Sequence, residues 1–212
     1  MNIALIGATG PVGSRILAEL LERGHQVTAV VRNVDKVESH PQVTAVAADV
    51  NEPDGLAAAL RGHDVVISAI RFLKTQPDKL IGAVKASGVS RYVLVGGAAS
   101  LYSPGTTTKL IDGGMIPDQY LPEPTAGCAF LNELKKETEL EWTFLSPPMM
   151  FSNDVEFGTE EGGRTGKFRL GLDELLVDEN GTSTISYEDY AVAMVDEVED
   201  AQHIRQRFTV GY

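Results

Sequence analysis

The chain has 212 residues, a formal net charge of -12 and a sequence pI near 4.7. That length suits one domain that buries a full core without cross-links, and a lone cysteine, Cys128, excludes an intrachain disulfide. The acidic balance disfavours nucleic acid and anionic membrane as partners.

The start, MNIALIGATG, lacks the basic segment of a secretory leader, and no apolar run nears the ~20 residues that cross a bilayer. With the single thiol, these features predict a cytoplasmic protein.

In chain order, short β-branched runs predict strands at Asn2–Ile6, Gln26–Val31, Val43–Ala47, Asp64–Ala69 and Arg91–Val95. Their near-continuous apolar character suits strands buried on both faces. Helices are predicted between them. Val12–Arg23 places Val12, Ile16, Leu17, Leu20 and Leu21 on one face, and others follow near Pro53–Leu60 and Gln76–Ser87. Pro53 at a helix start, and Gly24, Gly62 and Gly88 past helix ends, punctuate them.

From Gly96 to Pro124 the chain is rich in Gly, Pro, Ser and Thr and reads as a long loop over a site. A helix near Gly127–Leu140 and a strand near Trp142–Leu145 resume the alternation, and Pro147 and Pro148 stop that strand. Arg164–Leu170 and Glu174–Val177 are short strand candidates, and Glu179-Asn180-Gly181 is a turn signal. A helix at Tyr187–Glu199 and a strand at Arg207–Val210 end the chain.

The βαβ alternation predicts an α/β fold: a Rossmann doubly wound parallel sheet with helices on both faces. Residues 1–212 form a single domain, in which about 147–186 contribute a small C-terminal lobe on the substrate side. Ligands of such sheets lie beyond the carboxyl ends of the strands, so the residues after each strand carry the functional reading.

After the first strand comes Gly7-Ala8-Thr9-Gly10-Pro11-Val12-Gly13, and a helix follows at once. Gly7 permits the tight turn, Gly10 lets backbone approach a pyrophosphate, and Gly13 lets helix pack on strand. Bare amides at the helix start, with its positive dipole end, face the phosphates. Pro11 suits the first turn, and the Thr9 hydroxyl is available to phosphate.

The end of the second strand meets the adenosine ribose. There the chain reads Val31-Arg32-Asn33, with Lys36 one turn later. An arginine in place of an acid accommodates a 2′-phosphate, so NADP(H) is expected over NAD. Asp49 is placed to accept from the adenine amino group and Val50 to pack on its ring. Ser68, Ala69, Ile70 and Arg71 run beside ribose and pyrophosphate, and Gly96 and Gly97 flank the nicotinamide.

These motifs, with Ala48-Asp49-Val50 and Val95-Gly96-Gly97-Ala98, resemble an atypical short-chain dehydrogenase/reductase. Within that group the chain is similar to NAD(P)H-dependent flavin reductase and biliverdin-IXβ reductase-like proteins, and more distantly to NmrA-like regulators. The likeness extends through Leu145-Ser146-Pro147-Pro148, Asp173–Val177 and Ile185–Tyr190. It implies the same nucleotide contacts and adds Pro147 and Pro148 as lining for the nicotinamide.

One departure stands out. Short-chain enzymes use a Tyr-x-x-x-Lys pair, in which the lysine lowers the tyrosine pKa. Here the expected region reads Thr125-Ala126-Gly127-Cys128-Ala129, and neither Lys135 nor Lys136 has a tyrosine four residues before it. Reduction of a flavin or tetrapyrrole needs no such acid, because hydride passes to an electron-poor ring and solvent supplies the proton.

The expected activity is therefore an NADPH-dependent oxidoreductase acting on a flavin-like or other flat conjugated acceptor. A non-catalytic NADP-sensing regulator of the NmrA type rests on the same missing pair, with a regulatory protein as partner. A sugar-nucleotide epimerase would require the acid–base tyrosine. A homodimer stays open.

Ser100 and Tyr102 are candidate donors to substrate, although a turn role explains them better. Cys128 reads as a packed small hydrophobe, and Trp142 and Phe144 as core. Met149 stands near the expected nicotinamide. His25, His40, His63 and His203 are scattered without metal-ligand spacing, so no metal is expected.

Overall fold

The computed structural model describes residues 1–151 and 163–212. An eight-stranded sheet runs β3-β2-β1-β4-β5-β6-β8-β7. Its strands are β1 (Asn2–Ile6), β2 (Gln26–Val31), β3 (Val43–Ala47), β4 (Val65–Ser68), β5 (Arg91–Val95), β6 (Glu141–Ser146), β7 (Arg169–Gly171) and β8 (Gln206–Gly211). All pairings are parallel except β7 with β8. The order reverses direction at β1, with β2 on one side and β4 on the other, which opens the crevice where such sheets bind ligands.

Helices α1 (Pro11–Glu22) and α5 (Tyr187–Glu199) cover one face; α2 (Pro53–Leu60), α3 (Pro77–Ser87) and α4 (Pro122–Leu134) cover the other. Alternation along each strand sorts the two cores. Ile3, Leu5, Val65, Ile67, Val93 and Leu145 pack under Ile16 and Leu20 of α1 and Tyr190 and Met194 of α5. Ala4, Ile6, Val66, Tyr92, Leu94 and Phe144 pack under Leu56, Leu80, Phe130 and Leu131. Each fully buried Leu, Ile or Phe contributes about 1.5–3 kcal/mol.

Strands β1 to β5 and helices α2 and α5 follow the sequence reading closely, and three regions depart from it. Gly96–Pro124 is not one open loop: it holds 3₁₀ turns at Ala98–Ser100, Leu110–Asp112 and Asp118–Tyr120. The fourth helix starts at Pro122 and stops at Leu134, instead of running from Gly127 to Leu140. Prolines 122 and 124 read as breakers, yet the first turn tolerates them because its amides have no intrahelical partner.

The third departure lies near the C-terminus. Of the two late strand candidates, only Arg169–Gly171 forms a strand. Glu174–Val177 makes just an isolated bridge from Glu174 to Tyr102. The expected turn at Glu179–Gly181 is present, closed by Gly181 N–H donating to the Asp178 carbonyl at 3.1 Å. Residues 152–162 of the expected lobe lie outside the described residues.

Candidate functional site

The glycine loop joins β1 to α1 at the carboxyl edge of the sheet. Gly7 has φ +85°, a left-handed conformation, and a Cβ there would sit 2.5 Å from the Ala69 carbonyl oxygen. At Gly13 a Cβ would lie 2.1 Å from the Gly7 carbonyl oxygen, so the first turn of α1 presses on the loop. Packing alone requires these two glycines.

Gly10 differs. A Cβ there would meet only the Gly7 oxygen at 3.4 Å and the Ala69 oxygen at 3.9 Å, which the protein accommodates. The fold does not require a glycine at this position, whereas a group lying against the loop would. Around it, the Gly10 N–H donates to the Gly7 carbonyl at 3.0 Å and the Ser14 N–H to the Gly10 carbonyl at 2.8 Å.

Among the five helices of the described residues, α1 alone has no acid in its first turn, and no side chain caps it. By contrast α5 is capped by Ser186, which accepts from the Asp189 N–H, with Glu188 and Asp189 in its first turn. An uncapped helix start with its dipole unopposed favours an anion. Residues and geometry therefore fit a dinucleotide pyrophosphate, and Thr9 beside Gly10 is exposed.

Arg32 follows β2 directly, and Lys36 ends a 3₁₀ turn, Val34–Lys36, that Asn33 caps by accepting from the Asp35 N–H at 2.9 Å. Both cations are exposed, and neither has an ion-pair partner among the described residues. Asp35 lies between them in sequence, an acid that the reading of this segment passed over.

Beyond β3, one Asp49 carboxylate oxygen accepts from the Asn51 N–H at 2.9 Å and from its side-chain amide at 3.2 Å. That oxygen organises the turn into α2, and Asp49 is exposed. Val50 is half-buried beside it.

After β4 the chain runs against the glycine loop, with the Ala69 N–H donating to the Ile6 carbonyl at 2.8 Å. Ser68 is not open to a ligand. Its hydroxyl is buried and bonds the Tyr92 hydroxyl at 2.9 Å. Burial pushes the Tyr92 phenol far above its ordinary range, so this pair stays neutral. Arg71 is 73% exposed and faces Glu123 at 3.8 Å.

Gly96 is buried, and a Cβ there would fall 2.3 Å from the Phe144 ring. A Cβ on Gly97 would meet, among the described residues, only the Phe72 ring at 3.7 Å. Ser146 donates to the Gly97 carbonyl at 3.0 Å, which ties the ends of β5 and β6 together, and Pro147 and Pro148 are buried just beyond.

Most of the remaining candidates are buried or engaged by the fold. Ser100 is buried and accepts from Arg207 at 3.2 Å. The Tyr102 backbone is paired with Asp173 and Leu175. Trp142 and Phe144 are core. Burial raises the Cys128 thiol pKa, so the thiolate needed for nucleophilic attack is disfavoured. Met149 is half exposed.

Two surface concavities, of about 120 Å³ beside Phe168 and His203 and about 1000 Å³ between α3 and α4, lie away from the glycine loop. Among the described residues no group of three or more His, Cys, Asp or Glu could hold a metal, and no helix is long and apolar enough to cross a membrane.

The strand order, the crevice at β1 and the glycine turn define a Rossmann-type protein. The chain belongs to the NAD(P)H-binding family, which it matches over residues 7–201. It is 37% identical over 218 residues to the uncharacterized protein YwnB of Bacillus subtilis (strain 168), covering 99% of this chain and 98% of that one. It is 26% identical over 216 residues to an NAD(P)H azoreductase of Xenophilus azovorans, across 98% of this chain and 67% of the enzyme.

Two solved structures superpose along the whole chain. A protein of Bacteroides thetaiotaomicron named provisionally as an epimerase is 42% identical, with a TM-score of 0.89, covering 100% of this chain and 96% of that one. A Streptococcus pneumoniae protein named provisionally as an NADH-flavin reductase is 33% identical, with a TM-score of 0.83, covering 100% and 99%.

Proposed function

We propose that this protein is an NADPH-dependent oxidoreductase that reduces a flat, electron-poor conjugated acceptor such as a flavin, a quinone or an azo compound. The observation that carries the nucleotide half is Gly10, where the fold leaves space that its own packing does not use, beside an uncapped helix start. The relatives named as azoreductase and flavin reductase support the acceptor class.

Each residue has a defined task. Gly7, Gly10, Thr9, Val12 and Gly13, with Pro11 shaping the turn, hold the pyrophosphate. Arg32 and Lys36 hold the 2′-phosphate, and Asp49 and Val50 the adenine. Ala69, Ile70 and Arg71 would wall the ribose, and Gly97, the less buried glycine after β5, would leave space for the nicotinamide, while Gly96 and Pro147 back it from within the fold. Bound NADPH supplies a hydride to the acceptor, and solvent supplies the proton.

The α4 helix carries no tyrosine–lysine pair at a four-residue spacing. Aromatic acceptors fit that absence, whereas carbonyl reduction and sugar epimerisation both want a protein acid–base group. The test is NADPH oxidation, followed by absorbance, with FMN, a quinone and an azo dye in turn. Turnover with any of these supports the reading. Tight NADPH binding with no turnover across that panel would replace it with a dinucleotide-sensing role.

A further inference from the structure

The loop after β4, from Ala69 to Thr75, walls the dinucleotide site in the reading above, and the inference here rests on that reading. Its ends are pinned. Ala69 N–H donates to Ile6 at 2.8 Å, and at the far end the Asn51 side chain donates to the Lys74 carbonyl at 3.0 Å. Its middle begins a 3₁₀ turn, Phe72–Lys74, that no local side chain caps.

The cap comes from another element. Glu123, in the first turn of α4, accepts from the Phe72 N–H at 2.7 Å and from the Leu73 N–H at 3.2 Å, one carboxylate oxygen to each. One turn along the same helix, Gly127 presents a bare surface to the Phe72 ring, where a Cβ would stand 3.0 Å from two ring carbons. That ring stacks on Phe144, with centroids 6.0 Å apart, and reaches to 3.7 Å from where a Cβ on Gly97 would be. The start of α4 thus grips the loop by its backbone and its aromatic side chain, next to the glycines after β5.

We propose that Glu123 is a positioning residue of the dinucleotide site. Its carboxylate fixes the Phe72 and Leu73 peptide planes, and through them the path of Ala69–Arg71 beside the glycine loop. It does so as a two-oxygen acceptor, not as a charge: Arg71 at 3.8 Å is mostly in solvent and contributes little to holding it.

The experiment compares Glu123→Ala, Glu123→Asp and Glu123→Gln with the wild type by calorimetric titration of NADPH and by KM and kcat with FMN. The Ala variant loses both acceptors, and Asp, one methylene shorter, keeps the charge without reaching both amides. Each is expected to raise the NADPH Kd and KM about tenfold with kcat within about twofold. Gln keeps an acceptor oxygen for the shorter bond but turns its amide NH2 on the Leu73 N–H, so it is expected to fall between wild type and Ala, about threefold weaker than wild type.

Unchanged NADPH affinity in Ala and Asp, even with a lowered melting temperature, overturns the proposal. So does a Gln variant as tight as wild type, because a single acceptor oxygen would then suffice. Should Ala fail to fold, Asp and Gln carry the comparison alone. A wild type that binds no dinucleotide overturns the site itself, an outcome distinct from either.

Discussion

The two ends of the sheet hold similar charged residues and treat them in opposite ways. At the amino end, Arg91 of β5 donates to Glu197 of α5 at 2.7 Å and to Thr143 of β6 at 2.7 Å, while His203 closes on the other Glu197 oxygen at 2.7 Å. Only the Arg91 Nε lacks a partner there, among the described residues. At the carboxyl end, Arg32 and Lys36 stand exposed with no ion-pair partner among the described residues, and α1 begins with neither side-chain cap nor acid. The closed network orders the fold. Under the proposed function a polyanion completes the open groups, and the contrast then divides structural from functional charge.

The comparison can be broken at either end. The largest effect is expected from Glu197→Ala, which strands the Arg91 guanidinium in the interior. It should cost about 3–5 kcal/mol in denaturant melts, with NADPH affinity of the folded fraction unchanged. A change in affinity without loss of stability would mean that the amino end reaches the site.

Next comes Gly13→Ala, whose methyl would fall 2.1 Å from the Gly7 oxygen. Pushing α1 off β1 should cost about 1–3 kcal/mol and weaken NADPH together with stability. Retained stability would mean that the loop yields more readily than its geometry implies.

Arg32→Ala sharpens the contrast from the open side. Stability should stay within about 0.5 kcal/mol, since the side chain is exposed and has no ion-pair partner among the described residues. NADPH affinity should fall about tenfold while NADH affinity holds. Equal losses for both would remove the 2′-phosphate assignment.

The smallest effect is in pH. Hydrogen bonds from Arg164 hold the Glu19 carboxyl below its ordinary 4.5, against burial that raises it, and Arg23 adds to the lowering. A carboxyl with a depressed folded pKa stabilises fully above its unfolded value and loses that contribution as pH falls through the folded one. Stability should therefore decline below pH 4.5, and Glu19→Gln should flatten that acid limb. A variant with the same acid slope would place the effect on other carboxylates.

Much of the fold was legible because two periodicities alternate cleanly through β5, and because proline and glycine mark the ends of α2 and α3. The glycine loop was legible because strand, turn and helix follow within a dozen residues. Less was legible where contacts are long-range. The Ser68 hydroxyl looked available until β5 brought Tyr92 beneath it. Prolines 122 and 124 hid the start of α4, and with it Glu123, whose partners lie about fifty residues away in the chain. A lone glutamate between two prolines carries no local pattern, so only the fold reveals its role. Glu174–Val177 has strand composition, but no neighbouring edge offers it a continuous ladder.

The most direct measurement is calorimetric titration of NADPH into wild type and Gly10→Ala, with a melt of each. A methyl at position 10 fits the protein but fills the space assigned to phosphate. The account predicts one site in the wild type, at least a tenfold loss in the variant, and matching melting temperatures. Equal affinity in the two proteins, or no heat from NADPH and NADH alike, would contradict it.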